Sequence, residues 1–120
     1  MEFFLDTYAL IEIAQGNPSY HNFATEGAVT LKENIAEMYY FLLRQHGEGM
    51  AQFYFDLFSR LAIDVPLPAI PKAMHFRLDK KKSHFSYIDC LGYFTALEQK
   101  RTFVTGDRAF KGLAHTEVVR

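Results

Sequence analysis

Short apolar runs alternate along the chain with longer segments in which apolar residues recur at helical spacing. Five short runs are predicted to be strands: residues 2–5, 28–30, 61–65, 102–105 and 116–119. The helical pattern predicts helices at residues 7–15, 17–25, 31–46, 48–60, 69–80 and 86–99. Strands that alternate with helices favour an α/β fold, here a three-layer α/β/α sandwich around a mostly parallel sheet.

The apolar stripe of each long helix identifies the side that we expect to face the core. In the helix at 31–46 this stripe consists of Leu31, Ile35, Met38, Tyr39 and Leu42. In the helix at 48–60 it consists of Met50, Phe53, Tyr54 and Leu57. In the helix at 86–99 it consists of Cys90, Tyr93, Phe94 and Leu97.

The composition indicates one globular domain spanning residues 1–120, since 49% of the residues are hydrophobic and 16% aromatic. No apolar run approaches the roughly 20 residues that a membrane-spanning helix needs, and the first residues do not resemble a secretory signal. Cys90 is the only cysteine, which favours a reducing compartment and a cytoplasmic protein. The net charge of −1 does not indicate a general nucleic-acid binder, so a polyanionic substrate would need grouped cations or bound metal.

Acidic residues follow two of the predicted strands. Asp6 comes directly after residues 2–5, and Asp107 follows the strand at 102–105. In a parallel sheet, sites form beyond the carboxyl ends of the strands, so both carboxylates are candidates for a common site. Each also has a purely structural interpretation, because aspartate often caps a helix or occupies a turn.

Two further carboxylates, on predicted helices, are candidates for the same site. Asp89 fits the S-x-x-D capping pattern that begins at Ser86, and Gly92 one turn later would let a backbone or a ligand approach closely. Glu37 lies opposite the apolar stripe of its helix, where a solvated side chain is the default interpretation. Tyr40 nevertheless makes that side of the helix partly apolar.

Carboxylates gathered in one cleft raise each other's pKa, and a divalent cation offsets that repulsion. A site made of oxygen ligands suits Mg²⁺ or Mn²⁺, which assist phosphodiester hydrolysis. The histidines show no zinc spacing, and Cys90 lies in an apolar stripe, where a core role is expected. An aspartyl phosphatase is a weaker alternative, because such enzymes carry a second aspartate where this chain has Tyr8.

Four motifs, taken in order along the chain, resemble those of the PIN-domain family. They are Asp6 after a strand, Asn34-x-x-Glu37-x-Tyr39-Tyr40, Ser86-Tyr87-x-Asp89, and Thr105-Gly106-Asp107-x-x-Phe110. Each motif is weak alone, whereas their combined order is fairly specific. The chain looks most similar to short prokaryotic and archaeal members, including the toxins of VapBC toxin–antitoxin pairs.

This resemblance implies a central parallel sheet of about five strands and a metal-dependent ribonuclease that uses Mg²⁺ or Mn²⁺. It also implies that Asp6, Glu37, Asp89 and Asp107 form the acidic metal and catalytic site, with Thr105 hydrogen-bonding within it. The implied partners are an RNA substrate, an antitoxin protein and a second copy of the chain. A PIN-like module that binds RNA or protein without cutting is the alternative.

One basic cluster, Arg77 with Lys80, Lys81 and Lys82, ends the predicted helix at 69–80. A solvated helix end is the default interpretation, because cations suit the C-terminal dipole. The alternative is that Arg77 and Lys80 contact an RNA backbone, with Arg77 better placed because it lies one turn earlier. Such contacts would be salt-sensitive.

Overall fold

The computed structural model describes residues 2–120, and its main sheet consists of three parallel strands. Strand β1 (Phe3–Leu5) lies beside β4 (Thr102–Thr105), which lies beside β5 (Thr116–Val118). Phe4 of β1 is paired with Phe103 of β4. The predicted α/β architecture with a parallel sheet is therefore confirmed.

The prediction of about five strands in one sheet needs correction, because the other two strands form a separate pair. Strands β2 (Thr30–Leu31) and β3 (Ala62–Ile63) run parallel to one another. They join the main sheet through a bridge between Val29 and Phe4, where Leu5 N donates to Val29 O at 2.9 Å. With only two residues each, β2 and β3 are too short to extend the ladder.

Within residues 2–120, five α-helices cover the sheet: α1 (Thr7–Ala14), α2 (Lys32–His46), α3 (Glu48–Phe58), α4 (Ala69–Asp79) and α5 (Tyr87–Glu98). The segment predicted as a helix at 17–25 is a 3₁₀ turn, Pro18–Phe23, which Asn17 caps by accepting from Ser19 N at 3.0 Å. In the part of the chain that the structure describes, no helix is both long and apolar enough to cross a bilayer.

Alternate residues of the strands point to opposite faces of the sheet, and each face carries its own core. Leu5 and Val104 pack with buried residues of α1, α2 and α3. Phe4 and Phe103 pack on the other face with α4 and α5, their rings stacked 5.6 Å apart. Helices on both faces of a parallel sheet make the three-layer sandwich.

The predicted core side of α3 is correct only in part, since Met50 and Tyr54 are partly buried against the core. Phe53 is 62% exposed and Leu57 43% exposed, whereas Ala51 and Phe58 are the buried residues of this helix. The apolar residues of α3 are too evenly distributed for periodicity to identify the buried side. On α2, by contrast, the predicted stripe is confirmed, because Leu31, Ile35, Met38 and Leu42 are buried.

Gly92 brings α5 close to the sheet. A Cβ at this position would lie 3.1 Å from Cε1 of Phe4 and 3.5 Å from Cε1 of Phe103. The close approach predicted at Gly92 therefore exists, but a core side chain fills the space rather than a ligand or a backbone.

Candidate functional site

Asp6 is the buried centre of the candidate site, with 4% of its surface exposed at the end of β1. Its carboxylate caps α1, since Oδ1 accepts a hydrogen bond from Ala9 N at 2.8 Å. The structural interpretation of Asp6 is thus correct, and it does not exclude a second role. A carboxylate has two oxygens, and the cap uses one of them.

Thr105 joins Asp6 to the end of the neighbouring strand. Its hydroxyl group is fully buried, hydrogen-bonds the Asp6 carboxylate, and accepts from Asp107 N at 3.0 Å. Asp107 in turn caps the next short turn, where Oδ1 accepts from Ala109 N at 2.9 Å. One hydroxyl therefore fixes the ends of β1 and β4 relative to each other.

Asp89 stabilises the start of α5 through the predicted capping box. Asp89 Oδ2 accepts from Ser86 N at 2.9 Å, and Ser86 Oγ accepts from Asp89 N at 3.0 Å. These two bonds fix the first turn of the helix and orient the carboxylate.

The charges of Asp89 and Asp107 act on Asp6. Burial raises the pKa of Asp6 to about 7, although hydrogen bonds from Thr105 and Ala9 oppose the rise, and the charges of Asp89 and Asp107 add to it. Burial also raises the pKa of Asp89, opposed by its bonds to Ser86, and the charge of Asp107 contributes. Three carboxylates from separate parts of the chain thus influence one another.

Glu37 is connected through side chains to the residue that follows Asp6, and no contact joins it directly to the other three carboxylates in the part of the chain that the structure describes. It lies on the exposed side of α2, and its Oε1 accepts a hydrogen bond of 2.5 Å from the hydroxyl group of Thr7, the residue after Asp6. Asn34, which is 2% exposed, donates through Nδ2 to the same hydroxyl at 3.0 Å and accepts from Leu31 N at 3.3 Å. Thr7 and Asn34 therefore position Glu37.

Sequence reasoning assigned no such role to Thr7 and Asn34. The sequence did contain a signal for Asn34, which lies three residues before Glu37 and next to the apolar stripe of α2. An amide side chain that is buried beside such a stripe needs hydrogen-bond partners. The contact of Thr7 with Glu37 spans 30 positions, and no local pattern predicts it.

Gly106, between Thr105 and Asp107, is also required by the packing. A Cβ there would overlap the ring of Tyr8 and the hydroxyl group of Tyr20. The two tyrosines thereby support the turn that carries Asp107.

The all-oxygen donor set of the four carboxylates suits Mg²⁺ or Mn²⁺. Within residues 2–120, however, no group of three histidine, cysteine, aspartate or glutamate side chains is arranged so that it could hold a metal ion. Asp6, Asp89 and Asp107 are each oriented by a capping bond, and like charges repel one another. The donor chemistry fits a divalent cation, whereas the described arrangement is not yet a coordination shell.

Of the predicted cations, Arg77 is held firmly and Lys80 is exposed. Arg77 Nε donates to Phe85 O at 3.2 Å, and its guanidinium lies 3.9 Å from the ring centre of Tyr87. Arg77 is therefore more than a solvated helix end. Cys90 is fully buried, and burial raises the pKa of its thiol to about 11, which fits the predicted core role.

Solved structures of low sequence identity share this fold. One of them is VapC20 of Mycobacterium tuberculosis, a Sarcin-Ricin loop cleaving toxin. It superposes with a TM-score of 0.75 at 15% identity, and the match covers 98% of this chain and 99% of VapC20. VapBC2 of Rickettsia felis, solved with a DNA fragment from its promoter, superposes with a TM-score of 0.75 at 21% identity over 100% of both chains. A toxin–antitoxin complex from Klebsiella pneumoniae gives 0.71 at 16% identity, covering 95% of this chain and 94% of that one.

Comparison with curated proteins found no significant match. The family model for the PIN domain, by contrast, matches residues 3–115 and so includes all four carboxylates and Thr105. With the fold shared by the solved structures and nearly the whole length matched by the family model, the chain belongs to the PIN domain family.

Proposed function

We propose that the protein is a metal-dependent endoribonuclease in which Asp6, Glu37, Asp89 and Asp107 form the catalytic metal site. The observation that carries the proposal is the buried Asp6, whose pKa is raised to about 7 by burial, with Asp89 and Asp107 adding to the rise. Burying a carboxylate beside others of like charge is costly, and a bound cation would offset that cost. PIN-domain proteins are generally nucleases that use divalent metals, which supports the same proposal.

The four carboxylates would hold Mg²⁺ or Mn²⁺, and the ion would polarise the phosphate and lower the pKa of a bound water. The chain's own contribution is positioning. Thr105 holds Asp6 against the turn of Asp107, and Ser86 orients Asp89. Thr7, the residue after Asp6, donates to Glu37 and accepts from Asn34, so it would orient Glu37.

We further propose that the protein is the toxin of a toxin–antitoxin pair, acts in the cytoplasm, and forms a homodimer. The shared fold with VapC20 and with two toxin–antitoxin complexes supports the antitoxin partner. The single cysteine, fully buried, fits a reducing compartment. That residues 1–120 form one domain stays a prediction.

The decisive experiment compares Asp6→Asn and Asp107→Asn with the wild type in RNA cleavage with Mn²⁺. Asparagine caps helices as well as aspartate does, so the fold should survive while activity falls by at least about a hundredfold. Asp56→Asn is the matched control, because Asp56 is exposed on α3 and bonds Gln52. Full activity in either site variant would contradict the proposal.

The alternative is a PIN-like module that binds RNA or protein without cutting. The lack of a ready three-ligand cluster within residues 2–120 is the observation that favours it. A folded wild type that binds RNA and cleaves none in Mn²⁺ would support this alternative over the nuclease.

A further inference from the structure

A small basic cavity lies where α4 leads into α5. Its volume is about 240 Å³, and it is lined by Arg77, Lys81, His84, Phe85 and Ser86. Three of these five side chains are cationic or can become so, and none is acidic. In a protein of net charge −1, such a local excess of positive charge suits an anionic ligand.

Arg77 is fixed in place within this cavity. The bond from Nε to Phe85 O uses only one of its five N–H donors, and the remaining four belong to the terminal amino groups of the guanidinium. A guanidinium fork suits phosphate, and a fixed one loses less conformational entropy on binding than a free lysine.

Tyr87 adds an exposed aromatic surface beside the same arginine. The guanidinium of Arg77 covers one side of the ring at 3.9 Å, and Tyr87 is still 59% exposed. The uncovered side of the ring is thus open to solvent. An exposed aromatic ring next to a cation is the usual platform on which a nucleic-acid base stacks while its phosphate is neutralised.

The cavity adjoins the carboxylate site. Ser86 lines the cavity and also bonds Asp89 in the capping box. A ligand held by Arg77 would therefore lie within a short distance of Asp89.

We propose that Arg77, Lys81 and Tyr87 form a nucleotide-binding subsite, in which a base stacks on Tyr87 and the neighbouring phosphate contacts Arg77 and Lys81. The inference rests on the proposed function, and it assigns a place to a nucleotide that flanks the one being cleaved. His84 lines the same cavity and adds a further donor to the phosphate.

The test measures binding of two fluorescent probes to the Asp107→Asn protein, which should not cleave them. One probe is a short single-stranded oligouridylate, and the other is its abasic counterpart with the same phosphates. Tyr87→Leu should weaken the oligouridylate about tenfold and leave the abasic strand unchanged. Tyr87→Phe should restore binding, because the ring is sufficient for stacking.

The cations are tested by salt dependence. Arg77→Gln and Lys81→Gln should weaken both probes, and each should reduce the slope of log K against log salt by about 0.7. Lys81→Gln leaves the bond from Arg77 to Phe85 intact, so it tests the phosphate contact if Arg77→Gln disturbs the loop. Lys100→Gln and Phe53→Leu are the matched controls and should change neither probe, since Lys100 follows the far end of α5, about 18 Å away, and Phe53 lies on α3.

Two results would overturn the subsite. In the first, Tyr87→Leu and Lys81→Gln each bind both probes as tightly as the Asp107→Asn parent does. In the second, the parent binds neither probe. The same experiments separate this inference from the proposed function. A wild type that cleaves RNA while Tyr87→Leu keeps its KM contradicts the subsite alone. A wild type that shows the predicted binding differences but never cleaves contradicts the nuclease alone.

Discussion

The two sides of the proposed acidic site are built differently. On one side, Asp6 and Asp107 follow strands of the sheet, are capped by backbone N–H groups, and share the buried hydroxyl of Thr105. On the other side, Glu37 lies on the exposed surface of α2 and is held by Thr7 and Asn34. The first side is fixed by the fold itself, whereas the second depends on a chain of side chains and should be easier to displace without unfolding the protein.

The largest expected effect concerns the ionisation of Asp6. Its folded pKa of about 7 lies above the ordinary value of 3.8, so between these values the folded protein keeps a proton that the unfolded chain has lost. Stability should therefore fall as pH rises through that window, by at most about 1.4 kcal/mol per pH unit. Asp6→Asn has no such proton, so its stability should fall less over this window than that of the wild type. The fall that remains should come from groups such as Asp89, whose pKa burial also raises, and urea unfolding at both ends of the window measures the difference.

If the stability of the wild type does not change with pH across this window, burial does not raise the pKa of Asp6. The proposed difference between the two sides of the site would then lose its main support. Asp56→Asn, in which an exposed carboxylate is replaced, is the control and should follow the wild-type profile.

Added Mn²⁺ should restore stability at the alkaline end of the same window. A ligand that binds only the folded state stabilises it by mass action, and ionised Asp6 is the better ligand. The melting temperature of the wild type should therefore rise with Mn²⁺, and rise more at the alkaline end than at the acidic end. An equal rise for Asp6→Asn would mean that the ion binds elsewhere.

Thr105→Val tests the side fixed by the fold. The substitution keeps the volume but removes the hydroxyl shared by Asp6 and Asp107, so buried polar groups lose a partner and unfolding should become easier by about 1–3 kcal/mol. Thr95→Val is the control, because Thr95 is equally buried but its hydroxyl donates only to Leu91 O of its own helix. Equal losses in the two variants would mean that Thr105 has no special role.

Thr7→Val should give the smallest change in stability, about 1 kcal/mol, because water can replace the bond to the exposed Glu37 while the buried Asn34 loses one acceptor. RNA cleavage should nevertheless fall about tenfold, since residues that orient metal ligands affect metal affinity. A loss of stability as large as that of Thr105→Val would contradict the proposed difference between the two sides.

Those parts of the fold and site that depend on local pattern were predictable from the sequence. Strand β4 has the predicted bounds of residues 102–105, and the capping box of Ser86 and Asp89 has both of its bonds. Asp6 and Asp107 each follow a predicted strand, and they were expected at one edge because a parallel sheet brings the carboxyl ends of its strands together.

What depended on distant contacts was not predictable. The buried side of α3 is set by the surface on which it packs, so Ala51 and Phe58 face inward where periodicity favoured Phe53 and Leu57. The split of the five strands into sheets of three and two follows from the shortness of β2 and β3, which the apolar runs at 28–30 and 61–65 did not reveal. The hydrogen bond from Thr7 to Glu37 likewise forms only in the folded chain.

The contact of Gly92 with Phe4 has a practical consequence for engineering. Asp89 and Gly92 share a helical turn, so the missing side chain at position 92 sets the height of the Asp89 carboxylate above the sheet. In Gly92→Ala the new methyl group would lie 3.1 Å from Cε1 of Phe4, so either the ring or the helix has to move by a few tenths of an ångström. Any outward movement of α5 would carry the Asp89 carboxylate with it. Position 92 is thus a place where the distance of this carboxylate from the sheet can be changed without replacing the carboxylate itself.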